Sequence, residues 1–314
     1  VPFGARGRLN AGAQERYAAY LAAQPIAGAA VWAHTGRGLH LDRETALAVI
    51  RSWREALPGK LLVAGAGAPP ARFRRGPRGD RAYLDHARAM AELAATSGAD
   101  LALVFPPLRF RERAPRDRRR LIAAYHAAVA RAGLPAIAFY LYAAAGGVSY
   151  TAGELADILA TPGVVAIKVA TLDSVMTFQD LACQIERHFP GTVILTGEDR
   201  FLGYSLLRGA DGALIGLGAA CPAFQERLIA AARAARAGEP RAAAEFVARS
   251  RQADRFAECT FVAPMEGYIR RLLHALSVLG VIPTAAAHDP WFPPLGREER
   301  AAIARTVREI SKEG

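Results

Sequence analysis

Several kinds of site are missing from this chain. It has three cysteines, Cys183, Cys221 and Cys259, widely separated and without a Cys-x-x-Cys pair. That argues against a disulfide framework or a thiolate metal site and suits a reducing compartment with free or buried thiols. No apolar run approaches the roughly 20 residues needed to span a bilayer. The first residues lack the basic start and apolar centre of a secretion signal, so a cytoplasmic, non-membrane protein is expected. Val1-Pro2-Phe3 opens abruptly, and an earlier segment is expected to be missing. No Gly-x-Gly-x-x-Gly turn follows an early strand and no P-loop occurs, which argues against the common nucleotide-cofactor folds. No His/Asp/Glu cluster falls on the predicted strand ends, so neither a metal nor another cofactor is expected.

One sign of charge is in excess. The net charge of +11 and pI near 10.1 raise nucleic acid as a partner. The densest basic cluster runs from Arg109 to Arg113 and from Arg116 to Arg120, with Phe110 nearly its only aromatic. A single-strand platform needs several exposed aromatics. A solvated loop and first helical turn is therefore expected there, and nucleic acid is not the favoured partner.

What is present is alternation. Apolar runs at Ile26–Ala33, Lys60–Gly67, Ala99–Phe105, Ala136–Tyr142, Gly163–Thr171, Thr192–Thr196 and Gly212–Leu217 read as strands. Segments of helical spacing separate them, among them a helix capped by Asp42 and one opened by a Thr151/Glu154 capping box. Short alternating elements imply a parallel sheet. If Val1-Pro2-Phe3 is the exit of a further strand, the count is eight. The expected fold is thus α/β, a (β/α)8 TIM barrel over residues 1–237, with a C-terminal helical extension over 238–314. A doubly wound open sheet is the other candidate.

The fifth strand carries one anomaly. Lys168 breaks an otherwise apolar run, Val164-Val165-Ala166-Ile167-Lys168-Val169-Ala170. Burial disfavours a charged lysine, and lowering its pKa from about 10.4 to about 7 costs roughly 4–5 kcal/mol. What is gained is a nucleophilic amine able to form a Schiff base with a carbonyl. The plainer reading is a lysine whose ammonium reaches solvent or a carboxylate. Alternation gives Lys168 the small neighbours Ala166 and Ala170 on its own face, which leaves room around the amine. In barrels, chemistry sits at the C-terminal strand ends. That shortlists Thr35, Pro107, Tyr140, Lys168, Gly197 and the Gly216–Gly218 stretch.

Lys168-Val169-Ala170-Thr171-Leu172-Asp173 resembles the Lys-x-Ala-Thr-x-Asp motif of the dihydrodipicolinate synthase/N-acetylneuraminate lyase family of class I aldolases. Phe139-Tyr140-Leu141-Tyr142 occupies the place of that family's Tyr-Asn-Val-Pro segment, at the family's interval before the lysine. His34-Thr35-Gly36-Arg37 resembles its Gly-Thr-Thr-Gly-Glu loop, and Val1-Pro2-Phe3 its Thr-Pro-Phe. Leu195-Thr196-Gly197-Glu198-Asp199 is similar to its Gly-Asp-Asp turn, and Gly209-Ala210-Asp211-Gly212 to its Gly-Ala-Asp-Gly. The resemblance covers nearly the whole chain.

It implies a cofactor-free, homodimeric or homotetrameric enzyme acting on pyruvate or a related 2-oxo acid by condensation, cleavage or dehydration. Lys168 would be the Schiff-base nucleophile, Tyr140 the proton relay and Thr35 the carboxylate-binding residue. Tyr142 is a rival for the relay, and Tyr140 is alternatively a core tyrosine. His34, Gly197, Glu198 and Gly216 would line the substrate site. His34 is alternatively an extra acid/base or loop filler, Thr35 a turn residue, and Glu198 and Asp199 either shapers of a turn or binders of substrate hydroxyls. Departures matter too. Pro107-Leu108-Arg109-Phe110 replaces the Pro-Tyr-Tyr stretch of lysine-pathway members, Ala145 stands where they carry an arginine, and His34 replaces a relay threonine. These point away from the lysine-pathway reaction and toward a different 2-oxo acid, such as a sugar acid or an aromatic aldol product, with Arg37 and Arg109 either holding a distal carboxylate or standing as solvated side chains. The other open reading is a family member without turnover that binds a 2-oxo acid or nucleic acid.

Overall fold

The computed structural model describes residues 1–172 and 174–312, without the Ala144 side chain. Asp173, the end of the lysine motif, lies outside the described residues, as do Glu313 and Gly314 of the expected extension.

Helix α1 (Ala11–Ala22) comes first, started by the Asn10 side chain on the Ala13 amide. There follow β1 (Gly28–Val31), α2 (Arg43–Ala56), β2 (Leu61–Ala66), α3 (Pro77–Thr96), β3 (Leu101–Val104), α4 (Pro115–Ala130) and β4 (Ala136–Leu141). Then come α5 (Ala152–Leu159), β5 (Val164–Ala170), α6 (Val175–His188), β6 (Val193–Thr196), α7 (Leu202–Leu207) and β7 (Gly212–Ala213). Five helices close the chain: α8 (Gly216–Ala220), α9 (Pro222–Arg236), α10 (Pro240–Thr260), α11 (Tyr268–Val278) and α12 (Arg297–Lys312). Strand order follows chain order from β1 to β7, and β1 to β5 pair in parallel. A doubly wound sheet reverses its order at a switch point; this one does not, so that alternative is set aside.

The local signals explain the helix starts. Asp42 accepts the Thr45 amide at 2.7 Å, ahead of α2. Thr151 and Glu154 form both halves of the capping box of α5, satisfying two amides that would otherwise lack partners. Glu154 is also paired with Arg118 of α4 at 3.1 Å.

Two expectations are corrected. Val1-Pro2-Phe3 forms no strand of the sheet among the described residues. The turn from Gly4 to Arg8 folds Phe3 back onto Leu9 in an isolated antiparallel bridge, with another to His288, and the Phe3 ring packs edge-on against Trp291 at 5.5 Å. The seventh strand stops at Ala213 rather than Leu217. Gly216 instead opens α8, where a Cβ would lie 2.5 Å from the Phe261 ring and 2.9 Å from Leu272, so only glycine fits that approach.

Two compact units make up the chain: Val1–Ala27 with Glu55–Pro58 and Thr196–Gly314, and Gly28–Arg54 with Gly59–Leu195. In the second, an aromatic cluster fills the space between helices and strand exits. Tyr83 of α3 stacks on Tyr125 of α4 at 5.4 Å and meets Phe110 edge-on at 5.4 Å. His126 of α4 lies against Tyr150 at 6.0 Å. Arg109, expected as a solvated side chain, is nearly buried. Its Nε donates to Asp80 Oδ1 at 2.7 Å, and its other nitrogens donate to the carbonyls of Phe73 and Arg74. Arg113 joins it on Asp80 at 2.8 Å. In the first unit, Arg271 plays a similar part: it is buried, pairs with Glu299 and donates to the Val262 carbonyl at 2.7 Å.

Candidate active site

Lys168 lies near the C-terminal end of β5 and is half-buried, while Ala166, Ile167, Val169 and Ala170 around it are buried. The β4–β5 register pairs Ile137 with Ala166, Phe139 with Lys168, Tyr140 with Val169 and Leu141 with Ala170. Paired residues of neighbouring strands point to one face, and successive residues alternate. Phe139 therefore shares the face of Lys168, and its ring lies 4.5 Å from Nζ. That is cation–π distance.

Tyr140 takes the opposite face. Its ring meets Tyr150 edge-on at 5.7 Å, and Tyr150 anchors itself on the Phe139 carbonyl at 3.3 Å. The cause is one residue. Ala136 pairs with Val164, and at that offset Tyr140 would stand opposite Lys168. The next pair is Ile137 with Ala166, so Val165 is an extra residue in β5 and every later partner moves by one. A one-residue slip exchanges the two faces. The implied pairing of the Tyr140 hydroxyl with the lysine amine is thus not what the register provides. Phe139, which the sequence did not single out, stands in that place. Tyr142 follows in the exit, its amide bonded to the Ala170 carbonyl at 3.0 Å.

The turn after β1 holds His34 and Thr35. Trp32 has positive φ (52°), is fully buried, and its Nε1 donates to the Ala46 carbonyl of α2 at 2.9 Å, which fixes where the turn begins. Amides of Gly36 and Gly38 both donate to the Ala33 carbonyl, and that of Arg37 to His34. Gly38 lies so close that a Cβ would be 1.7 Å from the Trp32 oxygen. His34 is half-buried in this turn. Its pKa is pushed down to about 4, chiefly by burial and then by the positive charges of Lys168, Arg37 and His40. It is therefore a neutral imidazole at pH 7, within electrostatic reach of Lys168. Thr35 is half-buried, and neither its amide nor its hydroxyl forms a hydrogen bond among the described residues. Because β1 to β5 are parallel, this turn leaves the same edge of the sheet as the Lys168 end of β5.

Gly197, Glu198 and Gly216 belong to the other unit. The Glu198 amide donates to Thr196 Oγ1 at 3.1 Å, and the Glu198 side chain is buried. Asp199 accepts the Gly216 amide at 3.1 Å, which ties the β6 exit to the start of α8. Phe110 is fully buried, so the basic cluster around it offers no stacking ring there. Among the described residues no group of three His, Cys, Asp or Glu side chains is placed to hold a metal, none of the cysteines is in a disulfide, and no helix is long and apolar enough to cross a membrane.

Strands in chain order with intervening helices, and a single lysine set in the fifth strand, define an α/β protein of the (β/α)8 barrel type with C-terminal helices. The chain belongs to the Dihydrodipicolinate synthetase family, whose sequence pattern matches residues 1–310. It is similar to a probable mitochondrial 4-hydroxy-2-oxoglutarate aldolase of Emericella nidulans, 23% identical over 236 residues, 75% of this chain and 72% of that protein. It is also similar to a 4-hydroxy-tetrahydrodipicolinate synthase of Xanthomonas campestris pv. campestris, 27% identical over 320 residues, 99% of this chain and 95% of that one. Among solved structures, a monomeric dihydrodipicolinate synthase variant superposes with a TM-score of 0.80 at 17% identity, covering 99% of this chain and 94% of that one. A prophage protein of the same family from E. coli K12, in complex with pyruvate, gives 0.79 at 18%, covering 99% and 95%. At such identities these structures speak for the fold alone.

Proposed function

We propose that this chain is a Schiff-base-forming lyase or aldolase that takes pyruvate or a related 2-oxo acid on Lys168. The observation that carries the reading is the setting of that lysine: half-buried in an apolar strand, flanked by alanines, over the Phe139 ring. An amine there has space on its own face for a small ketone. Thr35, whose amide and hydroxyl form no hydrogen bond among the described residues, supplies donors for a carboxylate. The iminium formed with the keto carbon is the electron sink for breaking or making a bond at the next carbon.

The second substrate is not the lysine-pathway one. Phe110 is buried against Tyr83 and Arg109 is tied to Asp80, so Pro107-Leu108-Arg109-Phe110 does not present an aromatic pair. Ala145 offers no cation. A 4-hydroxy-2-oxo acid, the class named for the Emericella nidulans relative, is the first to try. A homodimer or homotetramer forms part of this reading and is read by light scattering.

Borohydride reduction in the presence of pyruvate, followed by intact mass, is the test. A pyruvyl adduct in the native protein that is absent from Lys168→Ala supports the reading; native protein that gains no mass overturns it. One observation favours a second reading, binding without turnover: the ladder pairs Phe139, not Tyr140, with Lys168, and the Tyr140 ring packs edge-on against Tyr150. Under it the adduct forms, but no 2-oxo acid is cleaved, condensed or dehydrated.

A further inference from the structure

We propose that Trp32 is the positioning residue of the carboxylate-binding turn: its left-handed backbone, held by its own buried ring, fixes where the Thr35 amide and hydroxyl stand, and so sets the preference for a 2-oxo acid over a neutral ketone. This rests on the Schiff-base reading above, with Thr35 as donor to the carboxylate. Among the described residues, three that are not glycine have positive φ: Trp32 (52°), Arg37 (55°) and Leu172 (37°). All three stand at the exits of the two strands that the site uses. Trp32 and Arg37 bracket Thr35 after β1, and Leu172 follows the end of β5. Left-handed backbone is unfavourable for any residue with a Cβ, and most of all for a bulky one. It persists where the surroundings over-determine it, and it gathers at ligand clamps.

Trp32 is over-determined from both sides. Its indole is fully buried, and Nε1 donates to the Ala46 carbonyl of α2 at 2.9 Å. Its own carbonyl lies against two glycines, Gly38 and Gly65, and a Cβ on either would collide with that oxygen. Gly65 is the β2 residue that would face Trp32 if the ladder ran one rung further, since Val31 pairs with Ala64. The positive φ ends the ladder there and sends the chain into the turn.

The consequence falls on the next residues. The buried Ala33 presents its carbonyl to the amides of Gly36 at 3.0 Å and Gly38 at 3.3 Å, and the Arg37 amide donates to the His34 carbonyl at 3.2 Å. These bonds use the amides that follow Thr35 and leave its own amide and hydroxyl without a hydrogen bond among the described residues. Glycine at position 32 would take the same φ without strain, but it has no indole to hold it there, and the turn could adopt other conformations. Tryptophan accepts backbone strain in return for one setting of the two donors. Donors fixed in advance lose less freedom when a carboxylate arrives.

Trp32→Phe keeps a ring and removes the indole N–H. The pyruvate concentration that half-saturates its borohydride trapping is expected to rise about 2- to 10-fold, the worth of one neutral hydrogen bond. Trapping of a neutral ketone of similar size should stay at the native level. Made in Thr35→Val, the same change should raise half-saturation by a smaller factor, because one of the two donors it positions is gone; changes at independent sites would multiply. Native half-saturation in Trp32→Phe, equal losses for pyruvate and the ketone, or factors that multiply in full overturn this inference alone. A second measurement uses the native protein. It has three tryptophans, Trp32, Trp53 and Trp291, hence three indole N–H signals by NMR, assigned from Trp53→Phe and Trp291→Phe. Pyruvate is expected to move the Trp32 signal and the neutral ketone to leave it in place. A Trp32 signal that saturating pyruvate does not move, or that both ligands move alike, also overturns it. Native protein that forms no pyruvyl adduct overturns the Schiff-base reading and this inference with it.

Discussion

Thr35→Val isolates one hydrogen bond. The two side chains have the same shape, so the change removes a hydroxyl and little else. Because the Thr35 hydroxyl bonds to nothing among the described residues, no buried partner is stranded by its removal. Stability should accordingly move by under about 0.5 kcal/mol, the range of substitutions that touch no special feature. The loss should fall on the ligand. A hydrogen bond to a charged group is worth about 1.5–3 kcal/mol, and the half-buried position of Thr35 favours the lower part of that range. About 1.5–2 kcal/mol is roughly a 10- to 30-fold rise in the pyruvate concentration that half-saturates trapping. The backbone amide of residue 35 remains, so binding should weaken rather than vanish. The assay is the initial rate of borohydride-trapped adduct against pyruvate concentration, with Thr35→Ser as the control that keeps the hydroxyl. A neutral ketone of similar size should be trapped equally well by native and variant proteins. Unchanged half-saturation for pyruvate, or equal losses for pyruvate and the neutral ketone, would refute a carboxylate at Thr35.

Two further outcomes follow from groups away from the lysine. Asp80→Ala leaves the nearly buried Arg109 guanidinium with only the Phe73 and Arg74 carbonyls, and should cost about 3 kcal/mol, the low end for breaking a buried pair; urea titration reads it, and a loss under about 1 kcal/mol would mean that the clamp is in effect a surface pair. His126 is fully buried, with Nδ1 on the Ile122 carbonyl, and burial pushes its pKa down from 6.5 to about 4. Between those values the unfolded chain binds the proton and the folded chain does not, so stability should fall as pH drops from about 6.5 to about 4, by on the order of 3 kcal/mol, and His126→Gln should flatten that slope.

Much of this molecule is written locally. Asp42, Thr151 with Glu154, and the apolar run around Lys168 each announce an element through residues a few positions apart, and each forms where it was expected. The last strand was overread for the opposite reason. Gly212-Ala213-Leu214-Ile215-Gly216-Leu217 is apolar throughout, and only the contact of Gly216 with Phe261 and Leu272, more than forty residues later in the chain, explains why the segment turns into α8. Arg109 was misjudged in the same way. Nothing near it in sequence reveals Asp80, and without Asp80 an arginine in a basic run reads as solvated.

Tyr140 shows the limit most sharply. The interval from Tyr140 to Lys168 counts positions along the chain, whereas a partner across the sheet is set by rungs of the ladder. The two counts agree only while neither strand carries an extra residue. Val165 makes them differ by one, and because side chains alternate, a difference of one changes which ring meets the amine: Phe139 does, and the Tyr140 ring packs edge-on against Tyr150. A motif can therefore keep its spacing along the chain while the ladder pairs its lysine with the residue before its tyrosine.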